Sequence, residues 1–90
     1  MKFRLEISRS VAKFLDKLPP EYIPKLDIVF SRLADNPFDV ENLDIKKLRG
    51  FEHDYRLRWG KYRFLFTILK NEWIVLIYKA DTRGDIYKKR

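Results

Sequence analysis

The sequence contains no cysteine among its 90 residues and only one histidine, His53. The absence of cysteine excludes disulfide bonds and thiolate metal sites, and a single histidine cannot form a multi-histidine metal site. Long apolar runs are also missing near the N-terminus, where the stretch MKFRLEIS alternates charged with apolar residues. This alternation argues against a signal peptide or a membrane span, and we therefore expect a cytoplasmic protein.

Basic and aromatic residues are abundant. Twenty Lys and Arg against 13 Asp and Glu give a formal charge of +7, and aromatic residues make up 16% of the chain. A chain of this length forms one domain, which we assign to residues 1–90. The positive charge favours a polyanionic partner, above all nucleic acid, although a scattered surface surplus would give the same total.

The first half of the chain predicts a strand and two helices. Residues 2–7 alternate strictly between apolar and charged side chains, which is typical of a half-buried strand. Ser8 or Ser10 can cap a first helix, which Pro19-Pro20 ends. A second helix, with Pro24 in its first turn, ends at Asn36-Pro37. Its apolar stripe contains Tyr22, Ile23, Leu26, Val29, Phe30 and Leu33.

The second half predicts strands. Residues 38–45 form a polar connection, and the segments KKLRG, FEHDYRLRW, KYRFLFTIL and WIVLIYKA have strand composition. A turn at Lys70 to Glu72 joins the last two strands. The order β-α-α-β-β-β predicts an α+β fold in which a three-stranded antiparallel meander and the N-terminal strand form one twisted antiparallel sheet, with the helical hairpin on one face.

The stretch DYRLRWGKYRF, residues 54–64, predicts a hairpin whose two-residue Gly60-Lys61 loop forms a type II′ turn. This register places Arg58 opposite Arg63, although facing like charges weaken a sheet. Alternation then divides the side chains between two faces. The face expected to meet the helices holds Tyr55, Leu57, Trp59, Tyr62, Phe64, Phe66 and Ile68. The other face holds Arg56, Arg58, Arg63, Leu65 and Thr67, joined by Ile74, Leu76 and Tyr78 if the next loop has an even length.

Two interpretations of the arginine face stay open at this point. Arginines beside aromatic rings can bind phosphate and stack on nucleobases. Alternatively, the face is an ordinary solvated surface on which the arginines pair with Asp54, Glu52 or the acidic loop 38–44. In the second interpretation, the most direct pair joins Asp54 to Arg56.

These segments resemble the RelE/ParE family of toxins from toxin–antitoxin pairs. The resemblance covers nearly the whole chain and is carried by KKLRG followed by YRLRWGKYRFLF, and by the C-terminal RGDIY. It implies the fold described above. In the RelE branch it also implies an endoribonuclease that cleaves messenger RNA in the ribosomal A site without a metal or other cofactor. The ParE branch instead poisons DNA gyrase.

The resemblance also implies the functional residues. The positions that match the catalytic set of the RelE branch are Arg56, Arg58, Arg63, Arg83 and Tyr87. The arginines would stabilise the dianionic phosphorane formed when a ribose 2′-hydroxyl attacks its phosphate, and Tyr87 would stack on a neighbouring nucleotide. Further basic residues would contact RNA phosphates or serve only solubility. They are Lys46, Lys47, Lys61, Lys88, Lys89 and Arg90.

The proton acceptor is not assigned by this resemblance. RelE enzymes often carry a lysine at the position of Arg58, and a guanidinium group does not lose its proton in proteins. Asp54, His53 and Asp85 remain as candidates.

We therefore expect a RelE-type toxin with a cognate antitoxin, the ribosome and messenger RNA as partners, and with no membrane partner. A gyrase poison and a catalytically silent module that binds RNA or antitoxin are the alternatives.

Overall fold

Within residues 2–82, the chain forms one five-stranded sheet with two helices packed on one of its faces. The computed structural model describes residues 2–82, and the α+β fold expected from the sequence is confirmed. The expected three-stranded meander has a fourth strand, because residues 44–47 form a strand of their own before the hairpin. A single 3₁₀ turn, Lys70–Glu72, joins the last two strands. The elements are β1 (Arg4–Ile7), α1 (Arg9–Asp16), α2 (Tyr22–Asp35), β2 (Asp44–Lys47), β3 (Asp54–Trp59), β4 (Tyr62–Leu69) and β5 (Ile74–Thr82).

Capping residues and prolines set the ends of the two helices. Ser8 has extended backbone angles, and its Oγ accepts a hydrogen bond from the Val11 amide at 3.2 Å, which caps α1 as expected. Pro24 lies in the first turn of α2, where its missing N–H removes no helical hydrogen bond. Asn36, in extended conformation, ends that helix directly before Pro37. Among the residues described, no helix is long and apolar enough to cross a membrane.

The sheet order is β1-β5-β4-β3-β2, and β1 runs parallel to its neighbour β5. The other neighbouring pairs are antiparallel. The expectation of a wholly antiparallel sheet is therefore wrong for this pair. Alternation along β1 predicts a strand but carries no information on its partner or its direction. The two helices carry the chain from β1 to β2 at the opposite edge of the sheet, and the strands β2 to β5 then lead it back to the side of β1. There β1 pairs with the outer edge of β5, and the Ser8 amide continues this pairing to the Ile77 carbonyl at 2.9 Å.

The β3–β4 hairpin has the predicted register. Trp59 pairs with Tyr62, and the next pair outward joins Arg58 to Arg63. Gly60 has φ +60°, whereas Lys61 is not among the residues with positive φ. A positive φ at the first central residue alone is the signature of a type II′ turn. The turn thus fixes the pairing of the whole hairpin and places the two arginines opposite each other.

The face of the sheet toward the helices forms the hydrophobic core, as the alternation predicts. Phe64 is completely buried and contacts Phe14 and Phe30 edge to face, with ring centroids 6.1 and 5.3 Å apart. Trp59 stacks on Tyr62 at the hairpin end of the same face. Other buried members of this core are Val11, Leu26, Leu33, Leu57, Phe66, Ile68, Val75 and Ile77. The apolar stripes of both helices therefore cover one face and leave the arginine face open.

Candidate nucleic-acid interface

The open face of the sheet carries its charges in rows that run across the strands. Register pairs place one row of side chains over β2, β3, β4 and β5 in turn, and this row contains Lys46, Arg56, Leu65 and Lys79. Three of these four side chains are cations. All three basic residues of this row line the same cleft, so the row presents its positive charge to one concave space.

The adjacent row has acidic residues at both ends. It contains Asp44, Arg58, Arg63 and Asp81 in spatial order. The two facing arginines in its centre thus lie between strands that each contribute a carboxylate. The acidic neighbours in the same row therefore reduce the repulsion between Arg58 and Arg63.

A bulge in β5 adds one more side chain to the open face. Ile77 pairs with Phe66, but the next pair joins Lys79 to Leu65, so that Tyr78 is an extra residue on this strand. Both Tyr78 and Lys79 consequently line the open face, and Ala80 returns to the core side. Tyr78 was expected on this face, and the structure confirms it. The presence of Lys79 there depends on the bulge.

A basic cleft of about 760 Å³ lies on this open face. Its only described carboxylate is Asp54, and the exposed ring of Phe51 and the half-buried ring of Tyr78 complete its aromatic part. The basic residues that line it are Lys46, Lys47, Arg49, Arg56, Arg63 and Lys79. Six basic side chains against one acid create a positive potential that attracts a phosphate backbone.

Asp44 holds two of the arginines in place. Its Oδ1 accepts a hydrogen bond from Arg56 Nη2 at 2.8 Å, and its Oδ2 accepts one from Arg58 Nε at 2.6 Å. The Arg56 side chain is only 13% exposed, whereas that of Arg58 is 49% exposed. Arg56 is thus oriented within the cleft by a carboxylate from the neighbouring strand. The expected pairing of Arg56 with Asp54 is wrong, because strand β2 brings Asp44 alongside β3. The alternative pairing with the acidic loop 38–44 is confirmed for its last residue, Asp44.

Asp54 is bonded to Tyr78 instead. The phenol donates a hydrogen bond to Asp54 Oδ2 at 2.6 Å across the cleft. Burial raises the pKa of Tyr78 far above its usual value, and the hydrogen bond and negative charge of Asp54 raise it further. The phenol therefore keeps its proton at neutral pH and acts as a hydrogen-bond donor.

The sequence-predicted site residues are only partly gathered in this cleft. Arg56, Arg63, Lys46 and Lys47 line it. Arg58 lies on the same face but in the adjacent row, bound to Asp44. The predictions for the remaining C-terminal residues lie outside residues 2–82, which the structure describes. These residues are Arg83, Tyr87, Lys88, Lys89 and Arg90, together with Asp85, the third candidate for the proton acceptor.

Two further candidates lie away from the cleft. Lys61 sits in the hairpin turn with its ammonium group 5.6 Å from the centroid of the Tyr62 ring, and it does not line the cleft. The His53 side chain is exposed, with Nε2 3.5 Å from a carboxylate oxygen of Glu52. Within residues 2–82 no three His, Cys, Asp or Glu side chains come together as possible metal ligands.

Sequence reasoning missed several residues that shape the cleft. Arg49 and Phe51 belong to the turn after β2, and Lys79 follows the bulge. Arg49 lies within the quoted KKLRG segment, which could have indicated its place beside Lys46 and Lys47. No local signal distinguishes Asp44 from the other acidic residues of its loop, because its role depends on the pairing of β2 with β3.

Comparison with known proteins identifies the family. No protein-family model matches the chain. A Methanocaldococcus jannaschii protein that is assigned as a toxin and named RelE1 is 39% identical over 88 residues, which cover 98% of both chains. The toxin RelG of Mycobacterium tuberculosis is 28% identical over 90 residues, covering 99% of this chain and 100% of RelG.

Solved structures agree with these relatives. The archaeal RelE–RelB complex of Pyrococcus horikoshii contains a chain that superposes with a TM-score of 0.82 at 29% identity, covering 93% of this chain and 98% of that one. Free RelE of E. coli, in a mutant form, has the same fold, with a TM-score of 0.74 at 18% identity and with coverage of 96% of this chain and 87% of that one. With full-length identity of 39% to a RelE protein and this fold, the chain belongs to the RelE family of toxins from toxin–antitoxin systems.

Proposed function

We propose that this toxin is an endoribonuclease that cleaves messenger RNA in the A site of the ribosome, in the cytoplasm and without a metal ion. The observation that carries the proposal is the basic cleft, in which the arginines of the YRLRWGKYR segment, Arg56 and Arg63, lie with Lys46 and Lys79 around one concave space. The RelE family membership supports the same activity.

The chemistry of RNA cleavage matches the charges of this cleft. Attack of a ribose 2′-hydroxyl on the adjacent phosphate forms a crowded phosphorane with two negative charges. Preorganised cations stabilise such a species more than the starting phosphodiester, because its charge is larger. Arg56 is held by Asp44 before any substrate binds, so little reorganisation is needed when the phosphate arrives. The cations beyond the reacting phosphate would bind neighbouring phosphates and give affinity without sequence preference.

The C-terminal residues Arg83 and Tyr87 complete this proposal by their family resemblance. They lie outside the described residues, so their roles rest on sequence alone. Arg83 would contact the phosphate or support the leaving group, and Tyr87 would stack on a nucleotide to orient it for in-line attack. Lys88, Lys89 and Arg90 would add contacts to ribosomal RNA.

We further propose that a cognate antitoxin neutralises this protein. The Pyrococcus horikoshii neighbour was solved as a RelE–RelB complex, and a Mycobacterium tuberculosis neighbour, 26% identical with a TM-score of 0.74, was solved as the toxin–antitoxin complex RelBE2. An acidic antitoxin segment would complement a chain of formal charge +7. The product of an adjacent reading frame should therefore co-purify with this protein and suppress its cleavage of messenger RNA.

The decisive experiment is a translation reaction with purified protein and programmed ribosomes. Cuts should appear in the A-site codon with the wild type, and Arg63→Ala should slow them by about 100- to 1,000-fold, as expected when one charge-stabilising group is removed. Circular dichroism and thermal unfolding should show that Arg63→Ala keeps its fold.

Two results would contradict the proposal. The first is uncut messenger on ribosomes that have bound the wild-type protein. The second is accumulation of cleaved DNA with purified gyrase that is insensitive to Arg63→Ala, which would favour the gyrase-poison alternative instead.

A further inference from the structure

The proposed reaction needs a proton acceptor, and the cations of the cleft are poorly suited to this role. Guanidinium groups do not lose their proton in proteins, and ordinary lysine ammonium groups hold theirs at neutral pH. The acceptor must also lie within hydrogen-bonding distance of the attacking 2′-hydroxyl. His53 is excluded by position, because its side chain lies outside the cleft beside Glu52.

Asp54 is the carboxylate that the fold brings into the cleft. It is half-buried at the start of β3, and its side chain faces the same space as Arg56 and Arg63. Arg56 is bound to Asp44, so Asp54 is not held in an ion pair with that arginine. Its hydrogen bond from Tyr78 reaches Oδ2, and the described residues make no hydrogen bond to Oδ1. One carboxylate oxygen is thus fixed while the other is available to a substrate.

The spacing between Asp54 and the basic row fits one reacting nucleotide. Asp54 precedes Arg56 by two residues on the same face of β3, a separation of about 7 Å along the strand. A 2′-oxygen poised for attack lies about 3–3.5 Å from its phosphorus. A hydrogen bond from that hydroxyl to a carboxylate spans about 2.7 Å. A phosphate over the basic row therefore places its attacking hydroxyl within reach of Asp54.

We propose that Asp54 is the general base of the cleavage reaction and that Tyr78 positions it. The inference rests on the proposed ribonuclease function. Asp54 Oδ1 accepts the proton of the 2′-hydroxyl as the O2′–P bond forms. The P–O5′ bond then breaks, and its electron pair leaves on the 5′-oxygen, which takes a proton from water. Asp54 returns its proton to solvent. The products are a 2′,3′-cyclic phosphate and a 5′-hydroxyl, so atoms and charges balance.

Single-turnover cleavage of A-site messenger by Asp54→Asn tests this assignment. The substitution keeps the shape of the side chain and removes its basicity. We expect the cleavage rate constant to fall about 100-fold or more at neutral pH, the usual effect of removing a general base. The protein concentration that half-saturates the ribosomes should change little. Glu52→Gln is the matched control. Glu52 lies two residues before Asp54 and carries the same charge, but its side chain does not line the cleft. This variant should cleave like the wild type.

The pH dependence distinguishes a base from a structural carboxylate. With an ionised carboxylate as acceptor, the wild-type rate constant should be nearly constant between about pH 6.5 and 8.5. In Asp54→Asn hydroxide must take the proton, so the rate constant should rise by about tenfold per pH unit. A wild-type rate that itself rises with pH would point to a lysine base and would overturn the assignment.

Tyr78→Phe tests the positioning role. It should lower the cleavage rate constant by a smaller factor than Asp54→Asn and retain the flat pH profile. If the cleavage rate constants of Asp54→Asn and Tyr78→Phe are lowered by the same factor at every pH, Asp54 serves only to hold Tyr78 and the base assignment is wrong. Wild-type cleavage with an unaffected Asp54→Asn would overturn this inference alone, whereas absence of wild-type cleavage would overturn the proposed function and this inference with it.

Discussion

The two faces of the central strands obey different physical rules. On β4, Phe64 is fully buried under the helices, while its neighbour Arg63 lines the open cleft. The covered face is held by apolar burial, which tolerates little change in volume. The open face is organised by charge pairs and hydrogen bonds at the surface, which contribute less to folding. Fold and chemistry are therefore carried by alternate residues of the same strands.

The largest expected effect is on the covered face. Phe64→Ala removes a ring that packs against Phe14 and Phe30, and it should lower the free energy of unfolding by about 3–5 kcal/mol. Arg63→Ala, the adjacent substitution on the open face, should lower it by only about 1 kcal/mol or less while it abolishes most cleavage. Urea unfolding curves for the two variants give the comparison. Equal destabilisation by both would mean that the faces are not separable.

A smaller effect on stability is expected from the hydrogen bonds that Asp44 accepts on the open face. Asp44→Asn weakens the hydrogen bonds to Arg56 and Arg58 and should lower the free energy of unfolding by about 1–2 kcal/mol. A double-mutant cycle should give a larger coupling of Asp44 to Arg56 than to Arg58, because the Arg56 side chain is far less exposed. The reverse order would show that burial does not decide the strength of these pairs.

The smallest effect concerns alkaline pH. The pKa of Tyr78 is raised above its ordinary value of 10.0, so the folded state holds a proton that the unfolded chain releases. The contribution to stability is complete below pH 10.0 and is lost above it. The loss grows as the pH rises above 10.0, and solvent screening of the partly exposed phenol keeps the total small. The unfolding free energy of Tyr78→Phe should not show this loss above pH 10.0. If the unfolding free energies of the wild type and Tyr78→Phe depend on alkaline pH in the same way, the expectation is wrong.

Much of the covered face could be predicted from the sequence because it depends on local rules. The glycine turn fixed the hairpin register, and alternation then assigned Leu57, Phe64 and Phe66 to the core. Ser8 and Pro24 marked the helix starts through capping and through the missing amide hydrogen. Each of these signals lies within a few residues of the feature that it determines.

The open face was less predictable because its contacts join distant parts of the chain. Alternation placed Asp54 and Arg56 on one face, but it could not show that β2 would bring Asp44 to Arg56 first. The parallel pairing of β1 with β5 was missed for the same reason. The catalytic roles of Arg56, Arg58 and Arg63 stay predictions, since geometry shows their neighbours and not their reactions.

Because of the bulge in β5, one extra residue in this strand determines which side chains line the cleft. Val75 and Ile77 lie before the extra residue and keep their places in the core whether or not it is present. Deletion of one residue at Tyr78 would bring Lys79 into its position and remove the phenol that holds Asp54. Aligned sequences of relatives should therefore be compared for strand length at this point before residues of the cleft are matched between them.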